Sequence, residues 1–208
     1  MIAMTPDILA ALALFCFAAS ITPGPNNAML LASGANFGLR ATLPHLAGVV
    51  LGFALLILVI GAGLGALFAA YPPLHTGLKI VGGAYLLWLA ARIATAKGMA
   101  GRESGGRPIT FLEAAAFQWV NPKAYAMAVG AVAAYVPHGG GLADLLLLTL
   151  VFGLVNLPCV SAWMVAGVGL LRVLERPAAL RAFNLLMAGL LVASLYPLAA
   201  EAWRWAFH

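Results

Sequence analysis

Long apolar runs alternate with short polar segments along the whole chain. Six of the runs are long enough to cross a bilayer, because a transmembrane helix needs about 20 mostly apolar residues. They cover residues 8–32, 43–70, 78–96, 111–136, 142–171 and 183–202. Proline and glycine clusters, such as Tyr71-Pro72-Pro73, separate several of these runs and mark helix ends. The pattern predicts an all-α membrane protein with six transmembrane helices.

Two of the predicted spans contain helix-breaking residues in their interior. Residues 22–27 of the first span read Thr-Pro-Gly-Pro-Asn-Asn, and residues 118–123 of the fourth read Gln-Trp-Val-Asn-Pro-Lys. Proline removes a backbone N–H donor and clashes with the preceding helical turn. Unpaired backbone groups are costly in hydrocarbon, so such a break needs protein or a polar cavity around it. Broken helices at membrane depth form the substrate sites of many transporters.

The two breaks occupy corresponding positions in two halves of the chain. Pro23 and Pro122 lie about 100 residues apart, and each falls in the first span of its half. Three spans per half is an odd number, so the second half would be inverted in the membrane. We expect a first three-helix repeat at 1–96, a cytoplasmic linker at 97–110 and a second three-helix repeat at 111–208. These would form two inverted three-helix repeats with broken helices 1 and 4, although coincidence is the alternative explanation of so short a match.

Composition and charge support lipid as the solvent. The chain of 208 residues is 64% hydrophobic and 8% charged, whereas soluble domains are about 25% charged. The net charge of +5 does not indicate nucleic acid, because the basic residues lie almost entirely between the spans. Eight of them border loops one, three and five, and two border the opposite side. The positive-inside rule therefore predicts that these three loops are cytoplasmic and that both termini are periplasmic.

The breaks also predict a substrate site. A helix that restarts at Pro25 would present free N–H groups and partial positive charge, which suit a carboxylate. Lys123 is predicted near the bilayer midplane, where an ammonium group is costly and needs a partner. The candidate substrate-binding residues are Thr22, Pro23, Gly24, Pro25, Asn26, Asn27, Asn121, Pro122, Lys123 and Asn156. The alternatives are a packing kink at the first break and a structural cation at Lys123, paired to backbone carbonyls or, through water, to Glu113.

The remaining polar groups give weaker indications. Asn156 precedes Leu-Pro-Cys in the fifth span, which predicts a kink and one more amide for the pathway. His45 is expected at the cytoplasmic interface, with a proton relay as the alternative. Cys16 and Cys159 are expected to act as small buried apolar side chains. No carboxylate lies deep in a span, and the chain has no nucleotide loop or metal-ligand spacing. We expect no metal, no cofactor and no catalytic residue.

Several motifs together carry a family resemblance. They are residues 22–27, Gly38-Leu39-Arg40, Gly48-x-x-x-Gly52, residues 83–89 and Asn121-Pro122-Lys123. The glycine spacing of Gly48-x-x-x-Gly52 also predicts close contact with another helix. In these positions the chain resembles the LysE/RhtB family of amino-acid exporters, over nearly its whole length. The resemblance implies a bacterial inner-membrane exporter of amino acids or close derivatives, driven by the proton gradient. Residues 108–111 and 117–121 are most similar to the cysteine/O-acetylserine exporter branch.

The sequence therefore predicts a secondary active exporter of neutral amino acids or their derivatives, and no enzyme. A neutral substrate fits best, because a cationic side chain would require a buried carboxylate. The expected partners are the amino acid, protons as the coupling ion and the lipid bilayer, without nucleic acid; a homodimer is one possible assembly. The alternatives are a passive small-solute channel and a transmembrane thiol–disulfide electron carrier, for which Cys16 and Cys159 do not lie at matching positions of the two halves.

Overall fold

The computed structural model describes residues 6–64, 70–95, 107–136, 141–170, 176–193 and 195–196. In these ranges the chain forms seven α-helices, a short π-helical segment at Ile60–Leu64, and no strand. The helices are α1 (Pro6–Ile21), α2 (Pro25–Val59), α3 (Pro72–Ala94), α4 (Phe111–Gln118), α5 (Pro122–Tyr135), α6 (Leu142–Gly169) and α7 (Pro177–Ala193). The all-α prediction is confirmed.

Two of the described helical stretches are long and apolar enough to cross a membrane by themselves. Pro25–Gly63 has 39 residues with a mean hydropathy of 2.6, and Leu142–Gly169 has 28 residues with a mean hydropathy of 2.2. Shorter apolar helices cover Pro6–Ile21, Gly83–Ala94 and Pro177–Ala193. The predicted linker lies outside the described residues except for its last four, 107–110. The arrangement as six spans in two repeats stays a prediction.

The predicted loop between the first and second spans is reduced to a single residue. Two helical segments, assigned together as α2, meet at Gly38, whose φ of 78° and ψ of 177° are not helical. This positive φ is a conformation that glycine adopts readily because it has no Cβ. The chain therefore turns at a single residue between two helical segments. Helix α6 is assigned as one helix with Pro158 inside it, and the kink predicted near Asn156 stays a prediction.

Helix α2 packs closely on its neighbours through glycines. A Cβ at Gly48 would collide with the backbone of Phe111, and one at Gly52 would collide with Ala115, both in α4. Gly167 of α6 lies in the same way against the backbone of Leu31 in α2. Small residues allow such contact between membrane helices, and the contact predicted from Gly48-x-x-x-Gly52 is confirmed. Helix α2 thus forms the centre of the bundle, with both segments tied to the other half of the chain.

The outer faces of the helices are strongly apolar. Large exposed side chains on these faces include Leu14, Leu51, Leu112, Leu150, Leu154 and Leu186. The interior, in contrast, buries polar groups, among them Ser20, Asn27, Ser33, His45, Gln118, Asn121, Asn156 and Asn184. Apolar outer faces with polar groups inside are the distribution expected of a bundle surrounded by lipid, where polar side chains face the interior or a cavity.

Candidate functional site

The first break separates α1 from α2. Helix α1 ends at Ile21 and α2 begins at Pro25, with Gly24 in an extended conformation at φ −176° and ψ 178°. No side chain caps the N-terminus of α2. The first N–H groups of a helix have no partner within the helix. They lie here beside Gly24 and Asn26, which line a cavity inside the bundle.

The carbonyl groups at the end of α1 are, in contrast, well paired. Asn27 Nδ2 donates to the backbone oxygens of Ser20 and Thr22, both at 2.8 Å. Trp163 Nε1 of α6 donates to the oxygen of Ile21 at 3.1 Å. The last carbonyls of a helix would otherwise lack partners. Side chains therefore satisfy the carbonyl groups at the end of α1 and leave the N–H groups at the start of α2 uncapped. Such uncapped donors favour a ligand rich in hydrogen-bond acceptors.

Lys123 reaches across from α5 to the same break. Its Nζ donates to Thr22 O at 2.6 Å, to Thr22 Oγ1 at 2.9 Å and to Pro23 O at 3.3 Å. These contacts use the three donors of an ammonium group. The cation thus lies at the C-terminal end of α1, which carries partial negative charge. In this conformation, Lys123 is therefore a cation paired to backbone carbonyls, as one of the two alternatives predicted from the sequence has it.

Close packing fixes the stem of Lys123. A Cβ built at Gly24 would lie 2.7 Å from Lys123 Cδ, which is less than the distance of any ordinary contact between carbon atoms. Glycine at this position therefore leaves room for the lysine to lie along the break. The two motifs that the sequence analysis selected, about 100 residues apart, meet at this point.

The second break, between α4 and α5, is closed. Asn121 is the N-cap of α5, and its Oδ1 accepts from Lys123 N at 3.1 Å and Ala124 N at 3.5 Å. Pro122 occupies the first helical position, where its missing N–H leaves no additional donor unpaired. Asn121 is 1% exposed and borders the cavity. Its side-chain oxygen serves the helix, and this capped turn presents Lys123.

A pair of amides connects the two breaks. Asn26 Nδ2 donates to Gln118 Oε1 at 2.8 Å, and Gln118 Nε2 donates back to Asn26 Oδ1 at 3.1 Å. Gln118 is fully buried and also donates to Ala114 O at 2.9 Å. Gln118 belongs to the second sequence motif but is not among the candidate substrate-binding residues. Its position immediately before the second break was the available signal.

The cavity lies between these elements and α6. It has a volume of about 20 Å³, which is room for about one water molecule. Its polar lining is Ser20, Asn26, Asn27, Asn121, Lys123 and Asn156. Asn156 Nδ2 donates to Ser20 Oγ at 3.0 Å, and Asn156 Oδ1 has no partner among the described residues. Lys123 is the one charged residue of the described lining. The predicted residues Thr22, Pro23, Pro25 and Pro122 form the two breaks but do not belong to this lining.

His45 is buried between helices, and its predicted place near the cytoplasmic interface stays a prediction. Its side chain is 0% exposed, and Nδ1 lies 2.9 Å from Ser33 Oγ. The next turn of α2 contacts the backbone of α4 at Gly48, which draws this part of α2 into the interior. The sequence indicates the apolar run that contains His45, but it does not indicate that α4 covers this run.

Glu113 has partners of its own and does not contact Lys123. Its Oε2 accepts from Arg107 Nη1 at 2.8 Å and from Thr110 N at 2.8 Å, and Thr110 caps α4. The hydrogen bond with Glu113 raises the pKa of Arg107 above its usual value. Arg92 donates to Arg107 O at 3.2 Å. This exposed cluster fastens the end of the predicted linker to α3 and α4.

Both cysteines are buried and free of disulfide bonds. Cys16 lies in α1 and Cys159 in α6. Their burial agrees with the expectation that they act as small apolar side chains.

Comparison with known proteins identifies the family. The sequence pattern of the LysE type translocators matches residues 17–195. Proteins named cysteine/O-acetylserine efflux protein, from Escherichia coli (strain K12) and Shigella sonnei (strain Ss046), are each 36% identical over 136 residues, which cover 64% of this chain and 68% of the relative. No solved structure matches. The resemblance stated from the motifs is confirmed: the chain belongs to the LysE type translocators, a family of multi-pass transporters of the inner membrane that are not enzymes.

Proposed function

We propose that this protein exports neutral amino acids or amino-acid derivatives across the bacterial inner membrane, in exchange for protons. Its family supports amino-acid export, and relatives at 36% identity carry the name cysteine/O-acetylserine efflux protein. The observation that carries the proposal is the first break. There the uncapped N-terminus of α2 borders a polar cavity beside Lys123, while side chains satisfy the nearby carbonyls.

The substrate carboxylate would bind between the N-terminus of α2 and Lys123. Helix N-termini favour anions through their free N–H groups and partial positive charge. The longest contact of Lys123, 3.3 Å to Pro23 O, is the one that a carboxylate would replace most readily, because a hydrogen bond between two ionised groups is stronger than one to a neutral carbonyl. Thr22, Pro23, Gly24 and Pro25 would shape this seat, and the capped turn at Asn121 and Pro122 would hold the lysine in place.

The amino group would bind at Asn156, which lines the same cavity. Asn156 Oδ1 is a buried acceptor without a partner in the described part of the chain, and a buried acceptor gains from a donor that satisfies it. An α-ammonium group supplies such a donor. The described lining contains no acidic residue, so a second positive charge on the substrate would remain unpaired. A substrate with one carboxylate, one ammonium and a small neutral side chain fits this arrangement.

Transport requires a second conformation. The cavity of about 20 Å³ is close to the room that one water molecule needs, and an amino acid is several times larger. We infer that the site opens alternately to each side, by movement of two inverted three-helix repeats at 1–96 and 111–208. With loops one, three and five in the cytoplasm, both termini would be periplasmic. Impermeant thiol labelling of single cysteines placed at either terminus of intact cells tests this topology.

Counterflow in proteoliposomes tests the function. Vesicles loaded with unlabelled amino acid should take up labelled cysteine, O-acetylserine or serine. Labelled lysine and labelled pyruvate, which lacks the amino group, should remain outside. Uptake of lysine at the rate of cysteine would contradict the neutral substrate class. Uptake driven by a pH gradient against the substrate gradient distinguishes the exporter from a passive channel, which cannot concentrate its solute.

A further inference from the structure

We propose that His45 carries the coupling proton, on Nε2, in the exchange of protons for substrate. The proposal rests on the proton-coupled export proposed above and assigns the residue that performs it. His45 is 0% exposed, and its Nε2 has no hydrogen-bond partner among the described residues. A buried polar atom without a partner bears the full cost of lost hydration. That cost is explained if Nε2 has a partner in another step of the cycle.

The other ionisable groups inside the described bundle are poorly suited to this task. No aspartate or glutamate is among the buried polar residues of the described ranges. Lys123 donates three hydrogen bonds to the first break, so the loss of a proton would leave an acceptor there without its donor. Imidazole, in contrast, gains and loses a proton near neutral pH in water. Among the described buried polar residues, His45 is thus the one that can change charge without disrupting the substrate seat.

The position of His45 connects it to the cavity. Val49 and Phe53 line the cavity, and Val49 lies four residues after His45 on the same face of α2. His45 and Val49 are therefore separated by about 6 Å, roughly one turn, along the helix axis. A water molecule that enters the cavity in an open conformation could reach Nε2 after a small displacement of this turn.

His45 also spans the hinge of α2. Its Nδ1 contacts Ser33 Oγ at 2.9 Å, and Gly38, the non-helical residue of α2, lies between these two positions. This hydrogen bond ties the segment that begins at the substrate seat to the segment that contains His45. A proton on the imidazole changes its hydrogen bonding and its hydration, so it shifts the balance between two arrangements of the hinge.

The groups around His45 leave its charge change uncompensated in this conformation. The ionisable group that acts on it electrostatically is Glu113 of α4, whose carboxylate already accepts from Arg107 and Thr110. From α6, Met164 and Gly167 contact α2 at Gly34 and Leu31, on either side of Ser33, and neither side chain titrates. The charged imidazole therefore requires a hydrated conformation, and this requirement couples the proton to opening.

The proposed cycle moves one proton per substrate. Nδ1 keeps its proton toward Ser33 Oγ, and the lone pair of Nε2 accepts a proton from periplasmic water, which forms an imidazolium. In the conformation open to the cytoplasm, Nε2 returns this proton to water and the neutral ring is restored. Substrate binds from the cytoplasm and leaves to the periplasm in the opposite half of the cycle.

The experiment uses the full chain in proteoliposomes, with labelled L-cysteine kept reduced and the membrane potential clamped by potassium and valinomycin. Vesicles whose interior is one pH unit more acidic should accumulate the label about tenfold at one proton per substrate. The His45→Gln variant should not concentrate labelled cysteine inside the vesicles above the outside level. It should retain counterflow at equal pH on both sides, because substrate exchange does not require the proton to leave. Thr149→Val, which alters a buried hydroxyl bonded within α6, is the control and should accumulate as the unmodified protein does.

The outcomes separate this proposal from the function on which it rests. Accumulation by His45→Gln at the level of the unmodified protein overturns the proposal. The proposal also fails if His45→Gln melts at the same temperature as the unmodified protein but has lost both accumulation and counterflow. If the unmodified protein exchanges without accumulating, proton coupling itself fails, and the role of His45 with it. Should His45→Gln not fold, Ser33→Ala decides: it should shift the pH of half-maximal accumulation, and an unchanged midpoint contradicts the proposal.

Discussion

The two helix breaks look alike in sequence but differ in how their backbone groups are satisfied. At the second break, the Asn121 side chain caps α5 and closes the helix N-terminus. At the first, no side chain caps α2, and the paired groups are the carbonyls at the end of α1. A capped N-terminus has little remaining affinity for an anion, whereas an uncapped one in a cavity retains it. The first break is therefore the seat for a ligand, and the second is the scaffold that presents Lys123.

The largest difference between the breaks should appear when the prolines of each are replaced by alanine. Replacing Pro23, Gly24 and Pro25 together by alanine lets α1 continue into α2, which removes the uncapped N–H groups and should abolish counterflow. Pro122→Ala, the matched control, keeps the Asn121 cap and tolerates alanine at the first helical position, so transport should persist. Both are measured in proteoliposomes at equal protein content. Normal transport by the triple variant would mean that the first break is only a packing kink.

Removal of the positive charge of Lys123 at the first break should have the next largest effect on transport. Lys123→Met keeps the length of the stem and removes the ammonium group, while Thr22 O retains its hydrogen bond from Asn27, so the fold should survive. Loss of a hydrogen bond from a charged group costs about 1.5–3 kcal/mol, which lowers the transport efficiency roughly 10- to 150-fold. Lys123→Arg should be only partly active, because the larger guanidinium does not fit beside Gly24.

Comparison of binding and stability makes this test decisive. A melting temperature close to that of the unmodified protein, together with weak counterflow, is the expected result for Lys123→Met. Counterflow at the unmodified rate and affinity would show that the lysine is a structural cation for the carbonyls of Thr22 and Pro23 and that the carboxylate binds elsewhere.

The sequence predicted the parts of the site that depend on local chemistry. The prolines at 23, 25 and 122 determine where the helices stop and start, and a lysine inside an apolar run requires a buried partner. It did not predict contacts set by how distant helices meet. The pairing of Asn26 with Gln118 and the burial of His45 depend on α4 lying against α2. Glycine spacing indicated such a contact but not which helix would make it.

The smallest effect of the three concerns the cap of the second break. Asn121→Ala removes the acceptor for Lys123 N and Ala124 N, and loss of an N-cap typically costs about 0.5–2 kcal/mol. We expect a lower melting temperature and a modest loss of transport, because α5 frays and presents Lys123 less firmly. Asn121→Asp retains the capping oxygen and should restore stability. If the carboxylate of Asn121→Asp lay near the cavity, transport would stay low although the melting temperature was restored. This difference between transport and stability would distinguish a scaffold role of Asn121 from direct contact with the substrate carboxylate. A loss of transport as complete in Asn121→Ala as in Lys123→Met, without a change in melting temperature, would contradict the division of roles between the two breaks.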